Sequence, residues 1–167
     1  MKYTSAQAGK EIKKLTDSYS RLLEKEEASS VFNAAMGENA EAIRPEYDYD
    51  KTQSELAVIE EKIRKLKHAL NVFNATHKVP GWDMTVDEML VYIPQLNKRK
   101  IKLTQMASRI PRSRVSSAYM MRTNIVDYTI TNYDIAKAEA DCEKVSDELA
   151  RAQNALDLFN STETFEL

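Results

Sequence analysis

The residues best placed to do chemistry in this chain are cations. Between Glu88 and Asp127 there is no acidic residue, and the interval holds Lys98, Arg99, Lys100, Lys102, Arg109, Arg112, Arg114 and Arg122, interleaved with Tyr92 and Tyr119. Lysines and arginines without carboxylates beside them offer charged donors to phosphate or carboxylate oxygens, and aromatic rings among them add stacking faces. Lys98, Arg99, Lys102, Arg109, Arg112, Arg114 and Arg122 are therefore candidate anion-binding residues, for a nucleic acid backbone, an anionic lipid headgroup or an acidic partner. The same run also reads as a solvated helix face and an exposed loop, paired with acidic helices in the same chain or across a dimer. The formal net charge of -2 is not the footprint of a nucleic-acid binder and favours this second reading. Lys100 falls on a core stripe, so it should snorkel or meet a buried carboxylate.

Other chemistry is weakly supported. His68 and His77 stand nine residues apart across a helix end and do not form a metal pair. Glu55, Glu60 and Glu61 lack the Glu-x-x-His spacing that di-iron bundles place on two helices. No metal or cofactor is expected. No phosphate-binding glycine loop, Ser/His/Asp set or Cys-x-x-Cys occurs, so the chain is not expected to be an enzyme. The single cysteine, Cys142, rules out an intramolecular disulfide framework and reads as a small buried hydrophobe. Tyr47, Tyr49, Tyr128 and Tyr133 cluster at the ends of helical hairpins. They read as staples holding long connections onto helices, or as a recognition surface.

The elements that position these residues are long helices. In Tyr47–Thr76 the residues Tyr49, Leu56, Ile59, Ile63, Leu66, Leu70 and Phe73 form one apolar stripe, with steps of three and four from Leu56 on. The stretch recurs as Tyr133–Thr162. Aligned without a gap at an offset of 86, the two share eight identities in thirty positions: Tyr47, Asp48, Lys51, Ala69, Leu70, Phe73, Asn74 and Thr76 match Tyr133, Asp134, Lys137, Ala155, Leu156, Phe159, Asn160 and Thr162. The core register matches too, and the shared ending implies an internal duplication, repeat 1 over about 1–80 and repeat 2 over about 81–167.

A shorter helix precedes each long one. Thr4-Ser-Ala-Gln7 is a capping box, followed by the stripe Ala8, Ile12, Leu15, Tyr19 and Leu22, fading near Glu27. Thr85-Val-Asp-Glu88 is a second, followed by Met89, Ile93, Leu96 and Leu103, with Pro94 expected to kink or split that helix. Placing Thr4 on Thr85 aligns the two short helices, and a register one heptad away is equally legible. The connection over 28–46 reads as a loop or a β-hairpin turning at Gly37. In the connection over 111–131, Val115–Met121 and Ile125–Ile130 read as two strands about Arg122-Thr-Asn124. Asn74 is expected to end its helix in the left-handed conformation. Lys78-Val-Pro-Gly-Trp-Asp83 is a turn in which Trp82 covers the bundle end. Thr131-Asn-Tyr-Asp134 caps the last helix.

The expected fold is all-α, an antiparallel four-helix bundle of two duplicated αα-hairpins in a single domain over 1–167, with a short β-hairpin in the 111–131 connection. Leu23, Val58, Val72 and Leu158 remain as a stripe that could carry a homodimer seam. The start Met1-Lys2 before a capped helix, the run Ile63–Thr76, Thr85-x-x-Glu88-x-Leu90, the basic Ser113-Arg114, and the ending Ala-Gln-Asn-Ala-Leu-Asp-Leu-Phe-Asn-Ser-Thr together resemble a small bacterial helical family often described as septicolysin-like. The resemblance implies an all-helical bundle and no catalytic or binding residues. Pro94 and Tyr92 depart from it, standing where members carry an Arg-rich helix, and Phe159 stands near a position occupied by Trp. The first residues hold no apolar signal core and no apolar run reaches spanning length, so a cytoplasmic protein is expected. The expected function is a non-enzymatic interaction or scaffold protein, homo-oligomeric, docking a protein partner. The alternative is an anion-binding module using the 98–122 region on nucleic acid or anionic lipid.

Overall fold

The computed structural model describes residues 2–115 and 127–167. In chain order the elements are β1 (Lys2–Thr4), α1 (Ser5–Ser30), α2 (Ala40–Ile43), α3 (Tyr49–Thr76), α4 (Val86–Ala107), β2 (Arg112–Arg114), β3 (Tyr128–Ile130), α5 (Ile135–Thr162) and β4 (Thr164–Glu166). Four long helices dominate, pairing two by two. The chain divides into two compact units, one of Met1–His77 with Leu158–Leu167, the other of Lys78–Asp157.

In the first unit α1 and α3 run antiparallel. Tyr19 donates its hydroxyl to Glu60 at 2.8 Å, and Glu26 accepts from Tyr47 at 2.6 Å and Gln53 at 2.7 Å, so one helix ascends as the other descends. The capping box that starts α1 is present: Gln7 N–H donates to Thr4 Oγ1, and Thr4 N–H to Gln7 Oε1. Ala8, Leu56, Leu66 and Phe73 are buried, and Ile12, Leu15, Ile59, Ile63 and Leu70 are half-buried, as the stripes require. Tyr49 is 63% exposed at the first turn of α3 and is not part of the core. β1 and β4 pair antiparallel, Tyr3 opposite Phe165. Phe165 is buried 5.1 Å from Phe73, which also meets Phe159 at 5.5 Å, so the matched phenylalanines of the two long stretches touch.

The second unit pairs α4 with α5. Tyr92 donates to Glu148 at 2.6 Å, Thr104 Oγ1 lies 3.3 Å from Cys142 Sγ, and Tyr133 donates to the Met106 carbonyl at 2.8 Å. Met89, Leu96, Ala138, Val145, Leu149, Ala152 and Leu156 form its core with Val79 and Val86. Val79–Trp82 is a β-turn closed by Trp82 N–H on the Val79 carbonyl at 3.0 Å, with Gly81 at φ 79°. Pro at the second and Gly at the third position make this a type II turn, whose third residue needs positive φ. Trp82 then rests edge-on against Tyr92 at 6.2 Å, with Arg151 5.7 Å over its ring.

Several local expectations are corrected. Asn74 does not end its helix: among the described residues no non-glycine residue has positive φ, and α3 continues through Thr76. Thr76 Oγ1 donates to the Val72 carbonyl at 2.8 Å and His77 N–H to the Phe73 carbonyl at 3.1 Å, so the last carbonyls are satisfied without a left-handed residue. α5 ends the same way, with Thr162 on Leu158 at 2.8 Å and Glu163 N–H on Phe159 at 3.0 Å. Pro94 does not split α4, which runs unbroken over Val86–Ala107. Proline removes one backbone donor, and the carbonyl it frees belongs to Leu90, which is 46% exposed and open to water. No hairpin turns at Gly37. The Val31–Asp48 connection instead holds the single-turn α2, capped by Asn39. Thr131 does not cap α5. Its hydroxyl donates to the Ile110 carbonyl, and Asp134 is the cap, accepting from Lys137 N–H at 3.2 Å. Asp48 caps α3 on Lys51 N–H at 3.0 Å, the same two matched positions. The short ribbon is β2 with β3, beginning earlier than Val115. The expected strand over 116–121, the turn at Arg122-Thr-Asn124, and residues 125 and 126 lie outside the described residues.

Candidate anion-binding surface

Helical spacing separates the cations of α4 from its core. Met89, Ile93, Leu96 and Leu103 face α5 or are half-buried, which leaves Lys98, Arg99 and Lys102 exposed. Lys98 and Lys102 are one turn apart, as are Arg99 and Lys102, so the three cations are neighbours on the helix surface. Like charges at these spacings cost a helix a few tenths of a kcal/mol per pair (about 0.2–0.5). The helix dipole does not offset this, since its field is confined to the last turn and that turn carries no basic residue. Lys100 is half-buried, and its backbone carbonyl accepts from the Thr104 hydroxyl at 2.9 Å.

The chain leaves α4 through Ser108 and Arg109, with Arg109 N–H on the Met106 carbonyl at 3.3 Å, and enters β2. Arg112 and Arg114 alternate with the half-buried Ser113, so the two arginines share the exposed face of the ribbon. In the register Arg112 opposes Ile130 and Arg114 opposes Tyr128. Arg112 reaches diagonally, its guanidinium 3.6 Å from the centroid of the Tyr128 ring. Thr131 N–H on the Pro111 carbonyl and Val115 N–H on the Asp127 carbonyl, both at 3.0 Å, close the ribbon at either end.

Among the described residues, none of Lys98, Arg99, Lys102, Arg109, Arg112 or Arg114 has a carboxylate within 4.0 Å. On α5, Glu148 accepts from Tyr92, and Asp141 pairs with Lys144 at 3.7 Å. The Glu148 carboxylate, through that hydrogen bond, raises the Tyr92 hydroxyl above its ordinary pKa, with burial adding to it, so the phenol stays a donor. Arg122, the seventh sequence candidate, lies outside the described residues, as does Tyr119.

Elsewhere, two of the depressions among the described residues lie in the first unit. One, of about 600 Å³, is an open groove in the first unit between Tyr19 of α1 and the Glu60, Ile63, Arg64, Lys67, His68 and Asn71 face of α3. The other, of about 460 Å³, lies where α1 meets the start of α3, around Glu26, Tyr47 and Lys51. Tyr47 is pushed up to about 12 by its hydrogen bond to Glu26 and by burial, so it is a fixed donor across the physiological range. It staples the connection to α1, as Tyr133 staples α5 to the end of α4. Tyr49 and Tyr128 are exposed, and the Tyr128 ring lies against the Arg112 guanidinium rather than a helix. Cys142 is half-buried rather than buried, its sulfur against Thr104. No helix among the described residues is long and apolar enough to cross a membrane.

Val58 and Val72 are both 49% exposed and lie two heptads apart on α3, but the Glu61–Lys65 ion pair at 2.6 Å stands between them. Leu23 and Leu158 are exposed in the same unit. The residual stripe is thus broken by charge.

No family model matches the chain, and no curated protein matches it. Among solved structures it is similar to a functionally unknown conserved protein from Corynebacterium diphtheriae, with a TM-score of 0.63 at 14% identity, covering 99% of this chain and 100% of that one. At that identity the likeness is one of fold.

Proposed function

We propose that this is a non-enzymatic helical interaction protein whose working surface is the basic face of the second unit, and whose partner presents carboxylates or another array of anions. The observation that carries the reading is the set of six exposed cations without an ion-pair partner among the described residues. Three of them are crowded on α4 at a cost to the helix, and one is held against Tyr128. A solvated face would be expected to place a carboxylate at one of the available one-turn spacings, as Glu61–Lys65 does on α3. An arginine stacked on an aromatic ring keeps its donors pointed outward and loses little freedom when it binds an anion. Cytoplasmic location, a septicolysin-like kinship and the duplication of one αα-hairpin belong to the same reading. The duplication is supported by the matched caps Asp48 and Asp134 and the matched endings at Thr76 and Thr162.

The test is the fluorescence anisotropy of labelled poly-glutamate titrated with the protein at about 10 mM salt, where screening reaches about 30 Å. Binding is expected, weakening at least ten-fold in the triple variant Lys98→Glu, Arg99→Glu, Lys102→Glu. A control reversal at Lys62 and Lys67 on α3 should leave it within two-fold. Absence of binding by the unaltered protein, or equal loss in the control, would refute the reading.

A further inference from the structure

The basic face has a counterpart in the same chain. Residues 89–126 carry eight basic and no acidic side chains, whereas residues 24–61 carry eleven acidic and three basic, a balance of -8 against +8. The acidic stretch is the connection end of the first unit: the last turns of α1, the Val31–Asp48 segment and the first turns of α3. Glu26 draws these together by accepting from Tyr47 and Gln53, and the helix positions of Glu24 and Glu55 lie at the same level as that contact. Glu24, Glu27 and Glu55 are exposed and, among the described residues, have no cation within 4.0 Å.

Both ends also carry large exposed apolar side chains. Val31 is 77% exposed, Met36 fully so and Tyr49 63% at the acidic end, while Ile110 is 61% and Ile130 68% exposed at the basic end. A phosphate backbone would satisfy the cations and leave Ile110 and Ile130 in water. A protein surface that is acidic and apolar at once covers both, as the core and rim of protein interfaces do.

We propose that the partner of the basic face is the acidic connection end of a second copy of this chain. Arg112, fixed on Tyr128, is the anchor of this contact, with Ile110 and Ile130 meeting apolar residues such as Met36 and Val31. Such a contact joins different patches of the two copies; engaged reciprocally it closes as a two-fold dimer, and engaged once per pair it propagates into a ring or a chain. The chain's own acidic stretch balances the basic face in total, and at the contact the neighbour's copy of that stretch covers it. The proposal rests on the reading of the basic face given above and names its occupant.

The experiment is light scattering coupled to size exclusion, on the unaltered protein and two variants. One reverses the basic face (Lys98→Glu, Arg99→Glu, Lys102→Glu). The other reverses the acidic end (Glu24→Lys, Glu27→Lys, Glu55→Lys). All six positions are exposed, and circular dichroism with thermal unfolding confirms that each variant is folded. At about 10 mM salt the unaltered protein is expected to exceed its monomer mass of 19.1 kDa and to approach it at about 150 mM, where screening shortens to about 8 Å. Each variant alone should remain monomeric at low salt, and an equimolar mixture of the two should restore the heavier species. A milder pair, with Gln in place of each reversed residue, should give monomers whose mixture stops at a heterodimer, because only one intact basic face and one intact acidic end remain per pair. A monomer at low salt that still binds poly-glutamate overturns this proposal and leaves the basic face to another anionic partner, nucleic acid included. A monomer that binds nothing overturns both readings. An oligomer unaffected by either reversal places the interface elsewhere and also overturns the proposal.

Discussion

The smallest readable units in this chain are its helix caps. A cap is decided within four residues, by whether a short side chain can reach an orphan amide, and so Thr4 with Gln7 and Thr85 with Glu88 are legible without any knowledge of the fold. Thr85→Ala is expected to lower the unfolding free energy by about 1 kcal/mol in a urea titration, with the denaturant slope unchanged. The Glu88 carboxylate accepts from the Thr85 amide and then its hydroxyl, which holds its pKa below 4.5, and Lys78 holds Asp83 below 3.8. Groups whose folded-state pKa is depressed contribute stability that is complete above the ordinary carboxylate values and is lost as pH falls through the lowered ones. Thermal unfolding temperature should therefore fall as pH drops below about 5, and Glu88→Gln should flatten that fall. A profile as steep in Glu88→Gln as in the parent would show that the box contributes nothing to the acid limb. Where the local signal misled, two candidates competed: Thr131 and Asp134 are both good caps, and Thr131 is taken by the Ile110 carbonyl across the ribbon.

At the scale of elements, the long helices were legible because their apolar steps repeat over several turns, and every predicted core position of α5 is buried or half-buried. β1 with β4 was not legible. Each strand is three residues, and they pair from opposite ends of the chain, a contact with no local signature. Its consequence is the aromatic cluster of Phe73, Phe159 and Phe165, and Phe73→Ala is expected to cost about 3–5 kcal/mol in chemical denaturation. A loss under 1 kcal/mol would mean that the cluster collapses freely around the cavity. Pro94 was read as a break because its rule is strong, yet the freed carbonyl lies at an exposed position and the helix persists around it. Restoring the donor with Pro94→Ala should raise stability by about 1–3 kcal/mol, and a neutral or destabilising result would show that α4 is bent to the proline. The cations of α4 and β2 were named from composition alone. What the sequence could not supply was their lack of partners, because pairing depends on which carboxylates the folded chain brings near, and on the stacking of Arg112 over Tyr128, which needs the strand register.

At the scale of the whole molecule charge is segregated, with a basic face on one unit and an acidic end on the other, in a chain of net charge -2. Average charge hides such an arrangement, and composition taken alone argues against the proposed surface. Long-range interactions respond to the local field, since screening at physiological salt limits each surface to what lies within about 8 Å. Retention on a sulfonate cation exchanger at pH 7 and about 10 mM salt reads that field directly. Loaded dilute, so that copies do not cover one another's basic faces, the protein is expected to bind the resin although it is acidic, to elute as salt rises, and to flow through when Lys98, Arg99 and Lys102 are reversed to glutamate. Flow-through of the unaltered protein at low salt, at the position of the reversed variant, would contradict the account.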